Sequence, residues 1–186
     1  MDITPFLTSF WLIALAEFGD KTQLTVIALS AMYDRHKVFS GVVLAFALVT
    51  GLGVVVGDGL LRLVVPEYLR ILAGLLFLAF GILILFSKMD SDTIESTRLA
   101  SPFFSTFWMI SVAELGDKTQ LSAIALAAKY DSPVLVFGGA VLALVLISLL
   151  GIVAGRKLVE KVSMSKIKAV SGVMFVVFGV LFLAGF

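Results

Sequence analysis

Long apolar stretches constrain this chain more than any other feature. Stretches of about 20 apolar residues recur six times in its 186 residues, and a helix of that length crosses roughly 30 Å of hydrocarbon. A backbone exposed to lipid must satisfy its own hydrogen bonds, and the runs are continuously apolar rather than alternating, so helices are expected and a barrel is not. The sequence predicts an all-α, polytopic membrane protein with six transmembrane helices, at 5–32, 38–61, 69–87, 102–128, 134–155 and 167–185.

Short connections and a plain charge balance exclude several kinds of protein. No segment outside the predicted spans exceeds about 15 residues, which leaves no room for a nucleotide-driven motor or a folded catalytic domain. The net charge of +1 offers no basic surface for nucleic acid, and the absence of cysteine removes thiolate metal sites and cysteine nucleophiles. The acidic start of the chain also argues against a cleavable signal peptide. We therefore expect that the protein is not an enzyme and needs no cofactor. Any transport that it carries out must be driven by ion gradients.

Lysine and arginine are distributed unevenly among the connections. Nine lie in the first, third and fifth connections, and three lie on the opposite face. The positive-inside rule places the richer face in the cytoplasm, so both termini are expected outside it. The nine are Arg35, Lys37, Lys88, Arg98, Arg156, Lys157, Lys161, Lys166 and Lys168, and the three are Arg62, Arg70 and Lys129.

The chain is an internal repeat. Residues 10–34 match 107–131 at 17 of 25 positions, and the correspondence continues to the end of the chain at an offset of 98. A repeat that crosses a membrane three times must start again from the other side, so two inverted three-helix repeats are expected, as in many secondary transporters whose substrate sites lie near the midplane. The predicted parts are a first repeat at 1–88, a cytoplasmic loop at 89–101 and a second repeat at 102–186.

A polar motif, E-x-G-D-K-T, occurs once in each repeat in the middle of a predicted span. Each ionisable residue at that depth costs about 2.5 to 3.5 kcal/mol, so six of them together cost roughly 15 to 20 kcal/mol, which mutual pairing must largely offset. Such a cost favours a functional role. The six are Glu17, Asp20 and Lys21 in the first copy and Glu114, Asp117 and Lys118 in the second.

Helical spacing puts the acids of each copy on one face, and the inverted symmetry brings the two faces together. The predicted result is a midplane cluster of four carboxylates with further oxygen donors nearby. Gly19 and Gly116 either let an opposing backbone approach or let the helix unwind. The possible additional ligands are Thr22, Gln23, Thr119 and Gln120.

The donor set restricts the substrate. Oxygen ligands suit Ca²⁺, Mn²⁺ or Mg²⁺, whereas Zn²⁺ and Cu⁺ usually recruit His or Cys, and the one histidine, His36, lies in a connection. With Lys21 and Lys118 as internal counter-ions, the four acids leave a charge of −2, which one divalent cation or two protons would balance. Competition between metal and protons for the same carboxylates would make an antiporter. Asp58 lines the outer entrance or is simply interfacial.

The doubled motif, at residues 17–22 and 114–119 in two three-helix halves, resembles the Gdt-type family of membrane cation exchangers. The resemblance covers essentially the whole chain. The bacterial members of this family include small manganese exporters. It implies Mn²⁺ and Ca²⁺ as substrates that move against protons, with the acids of both motifs as the ion site: Glu17, Asp20, Glu114 and Asp117. The chain lacks the N-terminal extension and long central loop of organellar relatives, which implies a prokaryotic plasma membrane protein.

Export of Mn²⁺ in exchange for protons, by alternating access, is the leading prediction. Ca²⁺/H⁺ exchange is the closest alternative, because an all-oxygen site admits both ions. A passive divalent cation channel and an exporter of small organic solutes are two further readings, and an intramembrane enzyme is the least supported. The expected partners are the metal ion, protons and the lipid bilayer, and the oligomeric state is left open.

Overall fold

The computed structural model describes residues 2–56, 66–86 and 101–185. These ranges form helices joined by short connections and contain no strand, which confirms the all-α prediction. In chain order the helices are α1 (Thr4–Glu17), α2 (Lys21–Met32), α3 (Arg35–Val56), α4 (Pro66–Phe86), α5 (Pro102–Glu114), α6 (Lys118–Tyr130), α7 (Pro133–Lys161) and α8 (Met164–Ala184).

Local sequence explains where several helices begin. All four prolines of the chain lie in the first turn of a helix, where a missing N–H costs nothing and the fixed φ suits the helix. At the start of α3 the Asp34 carboxylate accepts the backbone N–H groups of Lys37 and His36, at 3.0 and 3.1 Å. These two hydrogen bonds, the one from Lys37 first, hold the pKa of Asp34 below its ordinary value. Asp34 therefore acts as the N-cap of α3.

Two of the predicted spans are each divided into two helices. The span predicted at 5–32 consists of α1 and α2, and the span predicted at 102–128 consists of α5 and α6. Both divisions fall within the polar motif, at residues 18–20 and 115–117. Each motif therefore lies at a break between two helices, and its acids do not share one face of a single helix.

Within the part of the chain that the structure describes, three helices are long and apolar enough to cross a membrane: α3, α7 and α8. Helix α7 has 29 residues and so extends about 43 Å. Helix α1 and the segment Ile71–Phe86 are apolar but shorter. The arrangement of six spans in two inverted repeats therefore stays a prediction, and these helices are compatible with it.

Two kinds of helix pair build the bundle. Helix α1 packs along α7, and its counterpart in the second half, α5, packs along α3. Helices α4 and α8 pack closely on each other through glycines, since a Cβ at Gly81 would lie 2.8 Å from the Gly172 carbonyl oxygen and one at Gly179 would lie 2.9 Å from that of Gly74. The divided helices α1–α2 and α5–α6 each present one buried face to the bundle, and the motif lies where they meet.

Candidate cation site

A break in the helix is the first element of the site. Gly19 and Gly116 have φ angles of +79° and +78°, in the left-handed region that favours glycine. A Cβ added at Gly19 would meet nothing within 4 Å. Glycine is therefore needed at position 19 for its backbone angle and not for close packing against a neighbour.

A glutamine side chain supports each break. The amide oxygen of Gln23 accepts the Gly19 N–H, and that of Gln120 accepts the Gly116 N–H, both at 2.7 Å. The Gln120 Nε2 group also donates to the Val49 carbonyl at 3.0 Å. Both amide oxygens predicted as possible ligands are thus engaged with the backbone.

Ion pairs cross from one motif copy to the other. The Lys21 Nζ lies 3.1 Å from Asp117 Oδ2, and the Lys118 Nζ lies 2.6 Å from Asp20 Oδ2. Asp20 and Asp117 are also the N-caps of α2 and α6, and the Asp20 carboxylate accepts the Lys21 N–H at 2.8 Å. Each aspartate therefore lies at the positive end of a helix and beside a lysine of the other repeat.

The threonine and glutamate side chains cross in the same way. The Thr22 hydroxyl donates to Glu114 Oε1 at 2.5 Å, and the Thr119 hydroxyl donates to Glu17 Oε1. Glu17 and Glu114 are only 1% and 2% exposed. The glutamates end α1 and α5, so the break places them at the negative ends of two helices, where a cation is favoured.

Three of the four predicted carboxylates converge. One oxygen each from Glu17, Glu114 and Asp117 lie within 4.8 Å of one another. Two oxygens on opposite sides of a Ca²⁺ at about 2.4 Å lie about 4.8 Å apart, so the spacing fits a hard divalent cation. Asp20 lies outside this triad and is held by Lys118.

Charge is divided unequally among the four acids. Each aspartate has a lysine partner, whereas no salt bridge joins Glu17 or Glu114 to a cation among the residues that the structure describes. The uncompensated charge of −2 expected from the sequence therefore falls on two buried glutamates whose neighbours are threonine hydroxyls. Such a pair can accept either a divalent cation or protons.

Some contacts of the site carry no signal in the sequence. The Lys21 ammonium lies over the ring of Phe182, 5.0 Å from its centre, and a Cβ at Gly53 would come within 3.0 Å of the Gln120 side chain. Gly53 and Gly57 are spaced four residues apart in the sequence, a small-residue pattern that indicates helix packing, but the contact of Gly53 with Gln120 depends on the fold. His36 is exposed, as expected, but it lies in the first turn of α3 and not in a connection. Asp58 lies outside the described residues.

Acids and lysines paired among apolar helices define a membrane protein that handles ions, because such groups are rare at membrane depth and mark ion pathways. Comparison with known proteins narrows this class. The family model described as "Divalent cation/proton antiporter GDT1" matches residues 5–92 and 102–185. The chain belongs to this family, which confirms the resemblance seen in the motifs. The family is one of transporters and not of enzymes.

Individual relatives cover most of the chain. A protein of Saccharomyces cerevisiae named "Divalent cation/proton antiporter GDT1" is 28% identical over 96% of this chain and 82% of its own length. A Vibrio cholerae protein named "Putative manganese exporter" is 32% identical over 88% of this chain and 82% of its own. A GDT1-like protein of Synechocystis is 28% identical over 96% of both chains. No solved structure matches this chain.

Proposed function

We propose that this protein exports Mn²⁺ from the cytoplasm in exchange for protons, through one midplane site that is exposed to the two sides in turn. The observation that carries the proposal is the triad of Glu17, Glu114 and Asp117, whose oxygens come from both motif copies and lie within 4.8 Å. The ion is substrate and not a resident cofactor. Membership of a divalent cation/proton antiporter family supports the coupling to protons.

The glutamates are the exchanging groups in this proposal. Glu17 and Glu114 lack a lysine partner among the described residues, so they hold the charge that attracts the metal. Protonation of both glutamates removes that charge and releases the ion, and binding of the ion expels the protons. Lys21 and Lys118 act as counter-ions that neutralise the aspartates throughout.

The proposed membrane arrangement has six spans in two inverted repeats. The two divided helix pairs form one span each, with α1 and α6 in one half of the membrane and α2 and α5 in the other. The contacts of α1 with α6 and of α2 with α5 support this arrangement, as do the crossed ion pairs. By the positive-inside rule the α2 and α5 half faces the cytoplasm and both termini lie outside it. The proposed location is a prokaryotic plasma membrane, which similarity to a bacterial relative supports.

Ca²⁺ is the second candidate substrate. The triad has oxygen donors alone, which suit Ca²⁺ as well as Mn²⁺, and selectivity then depends on ligand number and cavity size. The similarity to the Vibrio cholerae protein named as a manganese exporter favours manganese. Competition by Ca²⁺ for Mn²⁺ transport measures the preference directly.

Proteoliposomes test the proposal. Vesicles loaded at acid pH and diluted into neutral buffer should accumulate Mn²⁺ above the external concentration while their lumen becomes more alkaline. Glu17→Gln and Glu114→Gln should each abolish this uptake while the protein stays inserted. Glu160→Gln is a matched control, because Glu160 is 62% exposed and pairs with Arg156 away from the site.

Other outcomes separate the alternatives. A passive channel would move Mn²⁺ only down its own gradient, whatever the pH difference. An exporter of organic solutes would leave the Mn²⁺ distribution unchanged. Normal transport by either glutamine variant would contradict the shared site.

A further inference from the structure

The two halves of the chain do not make equivalent contacts. Helix α8 packs against α2, and α4 packs against α5. The repeat pairs α2 with α6, α8 with α4 and α5 with α1, so equal halves would also show α4 against α6 and α8 against α1. Among the residues that the structure describes, neither of these two helix pairs packs together as extensively as α2 with α8 or α4 with α5. The α4–α8 pair therefore leans towards α2 and α5 and away from α1 and α6.

The motif lysines show the same asymmetry. Lys21 is 23% exposed and has the Phe182 ring of α8 over it, whereas Lys118 is 53% exposed. The residue that corresponds to Phe182 in the first repeat is Ile84. The α4–α8 pair thus covers the cation of one motif and leaves that of the other open.

Close packing makes α4 and α8 one rigid body. Backbone meets backbone at Gly74 with Gly179 and at Gly81 with Gly172, where a Cβ would come within about 3 Å of a carbonyl oxygen. Between these two contacts the Phe77 ring lies edge-on against Phe175, 5.7 Å between centres. Two helices packed this tightly move together more easily than they move apart. The pair can therefore change its position on the divided helices while the contacts between α4 and α8 stay the same.

We propose that the α4–α8 pair is the moving gate of the transporter, and that Phe182 is a positioning residue that favours the state seen here. In this state the gate closes the half of the site bounded by α2 and α5 and leaves open the half bounded by α1 and α6. In the alternate state the gate packs on α1 and α6, with Ile84 near Lys118. The inference rests on the proposed exchange function and names its moving part.

The wild-type sequence allows a direct test, because it has no cysteine and spin labels attach only where cysteines are introduced. Two pairs of exposed positions correspond under the repeat: Leu24 with Val173 joins α2 to α8, and Leu121 with Leu75 joins α6 to α4. Double electron–electron resonance on protein in lipid nanodiscs should give the shorter distance for the first pair. A change from neutral to acid pH should lengthen one distance as it shortens the other.

A third pair measures the gate itself. Leu72 and Val170 are exposed and correspond to each other, so their distance should stay constant in every condition. If the protein exchanges Mn²⁺ for protons but the distances in the first two pairs never change in opposite directions, the proposed gate is wrong and the proposed function still stands. Absence of exchange in the same preparation would count against the function instead.

Substitution at Phe182 tests its role. Phe182→Ile makes the two repeats alike at this one position. Loss of the cation–π contact should shift the ratio of the two states about 2- to 30-fold towards the alternate one. Phe182→Tyr keeps the aromatic face and should restore the wild-type ratio. Equal ratios in all three proteins, with the Leu72–Val170 distance unchanged, would show that Phe182 does not position the gate.

Discussion

The helix break at Gly19 gives the sharpest quantitative prediction. Its φ of +79° costs an alanine about 1 to 2 kcal/mol, and alanine also favours the competing unbroken helix by about 0.5 to 1 kcal/mol. A Cβ at this position meets nothing within 4 Å, so packing adds no further cost. Gly19→Ala should therefore shift the balance from the broken to the unbroken helix by about 1.5 to 3 kcal/mol, or about 10- to 150-fold.

An unbroken helix would carry Asp20 and Lys21 away from their partners, so we expect the initial rate of Mn²⁺/H⁺ exchange in proteoliposomes to fall at least about 10-fold. Gly19→Asn should keep more activity, because asparagine tolerates a positive φ better than alanine does. Gly138→Ala is the matched control, since this glycine lies within α7 and its Cβ would meet Phe6 at an ordinary 3.5 Å. Equal rates for Gly19→Ala and Gly138→Ala would refute the need for the break.

Two further predictions follow from the crossed contacts. In double-mutant cycles on thermal unfolding, Thr22→Val should couple with Glu114→Gln by about 0.5 to 3 kcal/mol, because the Thr22 hydroxyl donates to Glu114. The effects of Thr22→Val and Glu17→Gln should simply add. Coupling of Thr22→Val with Glu17→Gln and not with Glu114→Gln would contradict the crossed pairing. Lys21→Gln should lower the unfolding temperature more than Lys118→Gln, since Lys21 is 23% and Lys118 is 53% exposed and water screens the second pair more strongly; equal losses would argue against that difference.

The sequence predicts much of the architecture through its repeat. Near-identity of residues 10–34 and 107–131 implies that the two segments have the same local structure, and both are in fact divided at the motif. Where a two-fold axis relates two such segments their contacts are reciprocal, as the crossed ion pairs and the crossed threonine–glutamate hydrogen bonds are. The charge pattern alone indicates that Lys21 and Lys118 neutralise acids, and each lysine forms an ion pair with the aspartate of the other motif copy.

The partners within the site depend on information that spacing does not contain. The motif fits an unbroken helix with Glu17 and Asp20 on one face as well as it fits a break. Three features together stabilise the break. Gly19 tolerates the positive φ, Asp20 caps the start of α2, and Gln23 accepts the Gly19 N–H. The position of Phe182, far along the chain from Lys21, depends wholly on how α8 packs.

The crossed arrangement explains why six charged groups are found where two carboxylates would suffice for exchange. The aspartates begin α2 and α6 and are neutralised by lysines, so they fix the geometry of the break at little net charge. Glu17 and Glu114 end α1 and α5, and their own charge is unmatched by any cation among the described residues. A cation and protons can then compete for the glutamates while the ion pairs hold the two half-helices in place. Because each lysine belongs to the opposite repeat, separating the repeats would expose both pairs, and a moving gate outside the divided helices avoids that cost.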